Sequence, residues 1–385
     1  VTIATGDDPD YFYTGHAGGP QHWIRMYTND GMLVTRGLIG PNNGGHGGWI
    51  DHAFGMDAFT HPDTGVNYVY AEEVFYGKSI RYRMDNMESL VRIGEVFEWE
   101  NELFTVTNTL DDGRGSLRWV LENANAAPGL DTIRFNIGTG GPQTISLLSP
   151  LPDLTDQVTI DGTSQPGYAC APLIEVTGSL ITDSGVHGFR LRPDATGSVL
   201  RGLVINGFSS AGVFLGSATG VTIADNYIGT DASGSSAVPN YIGIHGTGGL
   251  GAIIHDNVIS GNTEGIGWVT ESFIQGNLIG TNASGTAPVP NAYGIQINGG
   301  ANNRIGGSAS GEGNLISGNR FGLLIGNTNA SGNLIQGNQI GTDISGTSTI
   351  PNTEYGIRIS SRAHGNFIGT NGDGVDDGQE GNLIS

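Results

Sequence analysis

From Leu203 to Ser385 apolar and polar residues alternate with a period of two, in short bursts closed by Gly, Asn or Asp. No 3.6-residue periodicity runs through this half of the chain. A burst such as Gly337-Asn338-Gln339-Ile340-Gly341-Thr342 sets a β-branched residue on one face of an extended strand and a glycine at the corner. The bursts recur. NYIGTDASG begins at Asn226, NLIGTNASG at Asn277, NQIGTDISG at Asn338, and a shortened copy, NFIGTNGDG, at Asn366. Each full copy leads to a Pro-Asn step (Pro239-Asn240, Pro290-Asn291, Pro351-Asn352) and then a Gly-Ile pair. An interlaced motif reads NVISGN from Asn257 and NLISGN from Asn314.

Unequal long periods built from short strands predict a solenoid with two or three turns per period, each of roughly 20–25 residues. Leucine-rich repeats have a similar period but need a leucine framework, whereas this segment offers Ile, Val, Asn and Gly. The pattern therefore predicts a parallel β-helix of roughly 10–12 turns, about 50 Å long at ~4.8 Å per turn. Asparagine at a fixed place in successive turns predicts a ladder of side-chain amides, with Asn277 and Asn338 bonded into the wall.

Upstream the period changes. Leu117, Val120, Leu121 and Ala124 fall at i, i+3, i+4 and i+7, the spacing of an amphipathic helix. Ser116 supplies an N-cap and Pro128-Gly129 a stop. A helix with one apolar face is a suitable lid for the end of a solenoid.

The first hundred residues are richer in aromatics and lack the repeat. Two units alternate strand, loop and strand around an Ile-Arg centre: Tyr11 to Tyr27 with the turn Asn29-Asp30-Gly31, and Asn67 to Met84 with the turn Asp85-Asn86. These units resemble NHL-type β-propeller blades. Two blades cannot close a ring, which needs at least about four, so the segment is expected to be the tail of a propeller or a separate β domain.

The stretch FTVTNTLDDGRGSLRWVLENANAAPGLDTIRFNI, Phe104 to Ile137, closely resembles the CSLREA-type domain that opens many β-helix surface proteins. Gly115 to Arg118 (GSLR), Ala124-Asn125-Ala126 and Asp131-Thr132-Ile133 carry the match. Gly115 stands where the family's name-giving cysteine would be, which removes any disulfide role there. The resemblance continues through SPLPDLTDQVTIDGTSQPGY, RGLVINGF and the IGTDASG repeats to Ser385. It implies a right-handed parallel β-helix, secreted or attached to a bacterial surface, and no particular reaction. The expected architecture is all-β: a propeller-like segment over 1–100, a capped entry over 101–137, and the β-helix over 138–385.

Charge narrows the partners. The chain carries 37 acidic residues against 16 basic ones, net −21, with Lys78 its single lysine. No basic face for nucleic acid can be assembled from this composition, and anionic lipid is disfavoured on the same ground. No apolar run reaches the ~20 residues that span a bilayer. Cys170, alone among small residues, is expected to be buried and inert.

Candidate chemistry is sparse. His46, Asp51 and His52 sit in a Gly-rich loop, with His16, His22 and His61 nearby in sequence, but the spacing fits no zinc pattern. Asp373, Asp376 and Asp377 could hold Ca²⁺, although Val375 breaks the EF-hand spacing; a solvated acidic loop is the expectation. Polysaccharide lyases and hydrolases on this fold need clustered or paired acids on an exposed face. Asp231 and Asp343 alternate with Asn282 and Asn371 at equivalent repeat positions, which marks turn formers rather than catalysts. We expect no catalytic, cofactor or metal residues.

The expected role is thus structural or adhesive, at the cell surface or outside it, with self-association, other surface proteins or glycans as partners. The alternative is a polysaccharide-active or glycan-binding β-helix, for which Tyr227, Tyr241, Trp268, Tyr293, Phe321 and Tyr355 are the aromatic candidates. The chain begins at Val1 and stops within a repeat at Ser385, so both ends are expected to be continued by a longer polypeptide or completed by a neighbouring subunit.

Overall fold

The computed structural model describes residues 104–385 in full and, of residues 1–103, the backbone of eight strands. The chain divides into two compact units, Val1–Leu103 and Phe104–Ser385. In the first unit, Thr2–Thr5, Tyr11–His16, His22–Thr28 and Leu33–Ile39 form one antiparallel sheet in chain order. Ala53–Thr60, Asn67–Glu73, Lys78–Asn86 and Ser89–Phe97 form a second of the same design. The two strand-loop-strand units read from the sequence are the central pairs of these sheets. The Gly44 to His52 segment, with its metal reading, lies outside the described residues, as does His61.

The second unit is a parallel β-helix. Its wall is three parallel sheets, called here 1, 2 and 3. Sheet 1 has ten strands, from Thr105–Val106 to Phe367–Ile368; sheet 2 has nine, from Gln143–Ser146 to Leu383–Ile384; sheet 3 has seven, from Phe189–Arg190 to Tyr355–Ile359. Nine steps of ~4.8 Å along sheet 1 give a wall about 43 Å long. Inward residues of successive strands stack in columns. Ile160, Leu200, Ile223, Ile254 and Ile274 form a column in sheet 1, and Ile205, Ile228, Ile259 and Ile279 one in sheet 2. Val213, Ile244, Ile266 and Ile295 do the same in sheet 3. All of these are fully buried.

The turns are longer than the sequence spacing suggests. Partners in sheet 1 are separated by 20 residues from Ile253 to Phe273 but by 40 from Thr159 to Val199. Each long period of the repeat holds two turns, not three: the register runs Asn226, Asn257, Asn277 over one period and Asn277, Asn314, Asn338 over the next. A second correction concerns Asn366. Its strand, Phe367–Ile368, pairs with Leu334–Gln336 in sheet 1, whereas the strands after Asn226, Asn277 and Asn338 all belong to sheet 2. The shortened copy is therefore not equivalent to the full ones, and Asn371 is not a counterpart of Asp231.

Three asparagine ladders fasten the corners. In the first, each amide nitrogen of Asn226, Asn257, Asn277, Asn314 and Asn338 donates to the side-chain oxygen of the next member, at 2.9–3.0 Å, ending on Asn382. The second runs Asn240, Asn262, Asn291, Asn319, Asn352, and the third Asn303, Asn333, Asn366. Every amide also reaches a main-chain carbonyl, as Asn277 does to Ile254 at 2.8 Å. Corner carbonyls thereby gain a second donor inside the wall, as the Ile228 carbonyl takes Asn262 beside the Ser260 main-chain amide.

The entry is closed by helix α1 (Leu117–Ala126), with Leu117, Val120, Leu121 and Ala124 buried as the spacing predicts. Ser116 caps it by accepting the Trp119 amide at 3.2 Å, and the helix packs on the first strands of sheet 1. Gly115 lies at φ +77°, and a β-carbon there would collide with the Thr107 hydroxyl. The backbone at this point thus has no room for a cysteine.

Candidate functional site

The three sheets present three different outer faces. That of sheet 2 is roofed. Val204, Val258 and Leu315 point away from the solenoid axis and are nonetheless buried, because the IGTDASG loops fold back over them. Each loop is a tight turn held by its own acid or amide. Asp231 accepts the Ser235 and Ser236 amides, Asn282 those of Thr286 and Ala287, and Asp343 those of Thr347 and Ser348. These are turn formers, as the Asp/Asn alternation implied. The loops leave every second turn and bond one another, Ala283 N–H to Gly234 carbonyl and Ile344 N–H to Gly285 carbonyl, each at 2.9 Å. Tyr227 belongs to this roofed face and is half-buried.

Sheet 1 shows an apolar row, with Ile253 and Phe273 exposed on adjacent strands. At its corner with sheet 2 stands a charged group. Arg201 makes a two-pronged bond to Asp161, at 2.9 and 2.7 Å. Burial alone would raise the Asp161 pKa, but Arg201 and the Thr163 hydroxyl together lower it. Asp225 is raised, by burial and then by the negative charge of Asp256. These two aspartates both sit at φ +57°, in the left-handed corner that glycine fills at Gly202, Gly276 and Gly337 on other turns. Aspartate tolerates this conformation, so their placement follows from the corner.

Sheet 3 is open and carries the aromatics. Its shape depends on a column of glycines: Gly212, Gly243, Gly265, Gly294 and Gly322. A β-carbon on any of them would lie 2.4–3.0 Å from the carbonyl of the next glycine in the column. The residue before each glycine then faces outward, giving the row Ile242, Glu264, Tyr293, Phe321, Tyr355. The residue after each inward aliphatic gives a second row: Phe214, His245, Gly267, Gln296, Leu324, Arg358.

Rings stack along both rows. Tyr293, Phe321 and Tyr355 are nearly parallel, with centroids 4.9 and 5.8 Å apart. His187, Phe214 and His245 follow at 4.6 and 5.2 Å, and Trp268 meets His245 edge-on at 6.2 Å. Arg190, Arg320 and Arg358 lie over Phe214, Phe321 and Tyr355. Phe321 has a ring on either side and Tyr293 and Tyr355 one each, so the stack offers solvent ring edges, the tyrosine hydroxyls and the guanidinium groups. Burial lowers the pKa of His187, helped by Arg190, and that of His245. Burial raises that of Glu264.

Of the six aromatic candidates, Tyr293, Phe321, Tyr355 and Trp268 share this face. Tyr241 is exposed but one position out of register with the stack. Sequence reasoning missed His187, Phe214 and His245. The triplets Gly212-Val213-Phe214 and Gly243-Ile244-His245, aligned on their glycines, contained the signal for the last two. Cys170, expected to be buried, is exposed at φ +62°, because the loop around it, Pro166 to Ala171, lies mostly at the surface.

The loop of Asp373, Asp376 and Asp377, expected to be solvated and acidic, bonds to itself. Asp373 accepts the Val375 amide, Asp377 the Thr370 hydroxyl, and buried Glu380 the Asn371 amide. Among the described residues no group of three acidic, histidine or cysteine side chains is placed to share a metal ion. Nor is any described helix long and apolar enough to cross a membrane. No protein-family model matches the chain, and no curated protein is significantly similar to it in sequence.

Proposed function

We propose that this chain is a rigid extracellular or cell-surface β-solenoid of adhesive character, and that the outer face of sheet 3 contacts saccharide. One observation carries the reading. Along this face run ring edges, tyrosine hydroxyls and guanidinium groups on neighbouring turns, the mixture of apolar and hydrogen-bonding surface that sugars take up. The asparagine ladders hold those groups at a fixed spacing, which lowers the ordering cost of binding a long polymer. Kinship with CSLREA-type surface proteins, and a propeller-blade origin for residues 1–103, belong to the same proposal. The first draws support from the capped helix and the solenoid behind it, the second from two successive four-stranded antiparallel sheets.

The test is a glycan array with the parent chain and Trp268→Ala, together with release of reducing ends from each saccharide bound. Trp268 stands 39% exposed at the edge of the stack and its loss should weaken binding at least tenfold. Failure of the parent to bind any saccharide sinks the proposal, and release of reducing ends would turn it towards the polysaccharide-active alternative. Exposed Ile253 and Phe273 on sheet 1 favour a second reading, self-association or contact with another surface protein, which concentration-dependent light scattering decides.

A further inference from the structure

Between the two aromatic stacks the outer face of sheet 3 changes character. Its second row has a glycine, Gly267, where the turns on either side carry His245 and Gln296. The vacant space is occupied by a neighbour on the same strand: the Glu264 side chain leans over Gly267, with Oε2 3.1 Å from where a β-carbon would stand. That oxygen is out of contact with solvent and has no hydrogen-bond partner. One turn on, the Gln296 carbonyl oxygen is buried and unpartnered too. Gln296 is the register partner of Gly267, over which Glu264 leans, and two acceptors without a donor at this place are a costly arrangement for an ionised carboxylate. A single hydrogen satisfies both.

We propose that Glu264 and Gln296 share a proton across neighbouring turns, with the Glu264 carboxyl standing neutral and donating its O–H to the Gln296 carbonyl oxygen. The proton closes the middle of the sheet-3 face. Burial, which raises the Glu264 pKa, acts in the same direction. The flanking strands bring two titratable groups to this place, His245 on the preceding turn and Tyr293 on the following one, and no cation among the described residues pairs with Glu264. The signs separate Glu264 from His245. Glu264, with its folded pKa raised, contributes stability below the ordinary glutamate value of 4.5 that is lost as pH climbs through the folded value. His245, lowered by burial, loses stability as pH falls. Loss of the proton frees the carboxylate to swing to solvent, opening a notch over Gly267 between the two ring stacks. The consequence for binding rests on the saccharide reading above: affinity should fall as pH rises.

Two measurements on the full chain test the shared proton without any ligand. The first is a carbon-13 titration of the glutamate carboxyls, assigned with Glu264→Gln; Glu264 should have its midpoint above 4.5. A midpoint at or below that value overturns the proposal, and would mean that the Gln296 amide is turned the other way and donates to a carboxylate. The second is urea unfolding against pH. Glu264→Gln offers an N–H to Gln296 at every pH, so it should abolish the fall in stability that the parent shows on the alkaline side; retention of that fall also overturns the proposal. Saccharide affinity of the parent and Glu264→Gln at the two ends of the titration then reads the gate. Parent binding that is independent of pH removes the gate and leaves the proton in place.

Discussion

Asn277 is the place to test whether the corner ladders hold the solenoid together. Its side-chain oxygen accepts the Asn257 main-chain amide at 3.1 Å and the Asn257 side-chain amide at 2.9 Å. Its nitrogen donates to the carbonyls of Ile254 and Gln275 and to the Asn314 side chain, at 2.8–2.9 Å. Asn277→Ala strands the buried Asn257 N–H, at ~1–3 kcal/mol, and removes a bond from Ile254 worth ~0.5–1.5 kcal/mol, so the loss should be about 2–4 kcal/mol. Asn282→Ala, five residues on, cuts three exposed bonds that water can replace and should cost less than about 1 kcal/mol. Asn277→Asp is the sharper probe. It keeps both accepting bonds but turns a second oxygen towards three acceptors. At pH 7 it should be less stable than Asn277→Ala, and it should recover as pH falls and the carboxyl is protonated. Urea unfolding followed by circular dichroism measures all three variants, and hydrogen exchange at the Asn257 amide supplies a local reading. The ladder argument fails if Asn277→Ala matches Asn282→Ala, or if Asn277→Asp equals the parent at neutral pH.

Two further substitutions probe the cap and the glycine column. Leu121→Asp places an unpaired charge beneath α1 and should cost about 3 kcal/mol or more, whereas Glu122→Ala on the exposed face should be near neutral; equal thermal midpoints would remove the lid. Gly294→Ala sets a β-carbon 2.6 Å from the Gly322 carbonyl and should cost about 1–3 kcal/mol, while Gly378→Ala meets nothing within 4 Å; a stable Gly294→Ala would show that the column yields.

The sequence made some levels of this structure readable and left others dark. A period of two and a corner asparagine are local properties, so the solenoid, α1 and the ladder through Asn277 and Asn338 could be read directly. Asn240 and Asn291 were visible only as part of a Pro-Asn step, because their ladder partners Asn262 and Asn319 belong to a different motif. The Asn-x-Ile-Gly signature serves two corners, which is why Asn366 reads as a copy of Asn338 although it sits on sheet 1. Turn length was underestimated because the roof loops look like repeat, yet add no turn. The aromatic face depends on register between turns 20–40 residues apart, and a one-residue offset such as that of Tyr241 cannot be seen until the strands are paired.

The roof over sheet 2 gives the protein a parity. Protruding loops follow Ile228, Ile279 and Ile340, tight corners follow Ile259 and Ile316, and each loop rests on the one two turns below. Loss or gain of a single turn would set a loop against a corner and leave Val258 or Leu315 without cover. Loss or gain of a pair restores every contact. The rod therefore changes length in quanta of about 9.6 Å, and the inheritable unit is the two-turn pair rather than the turn.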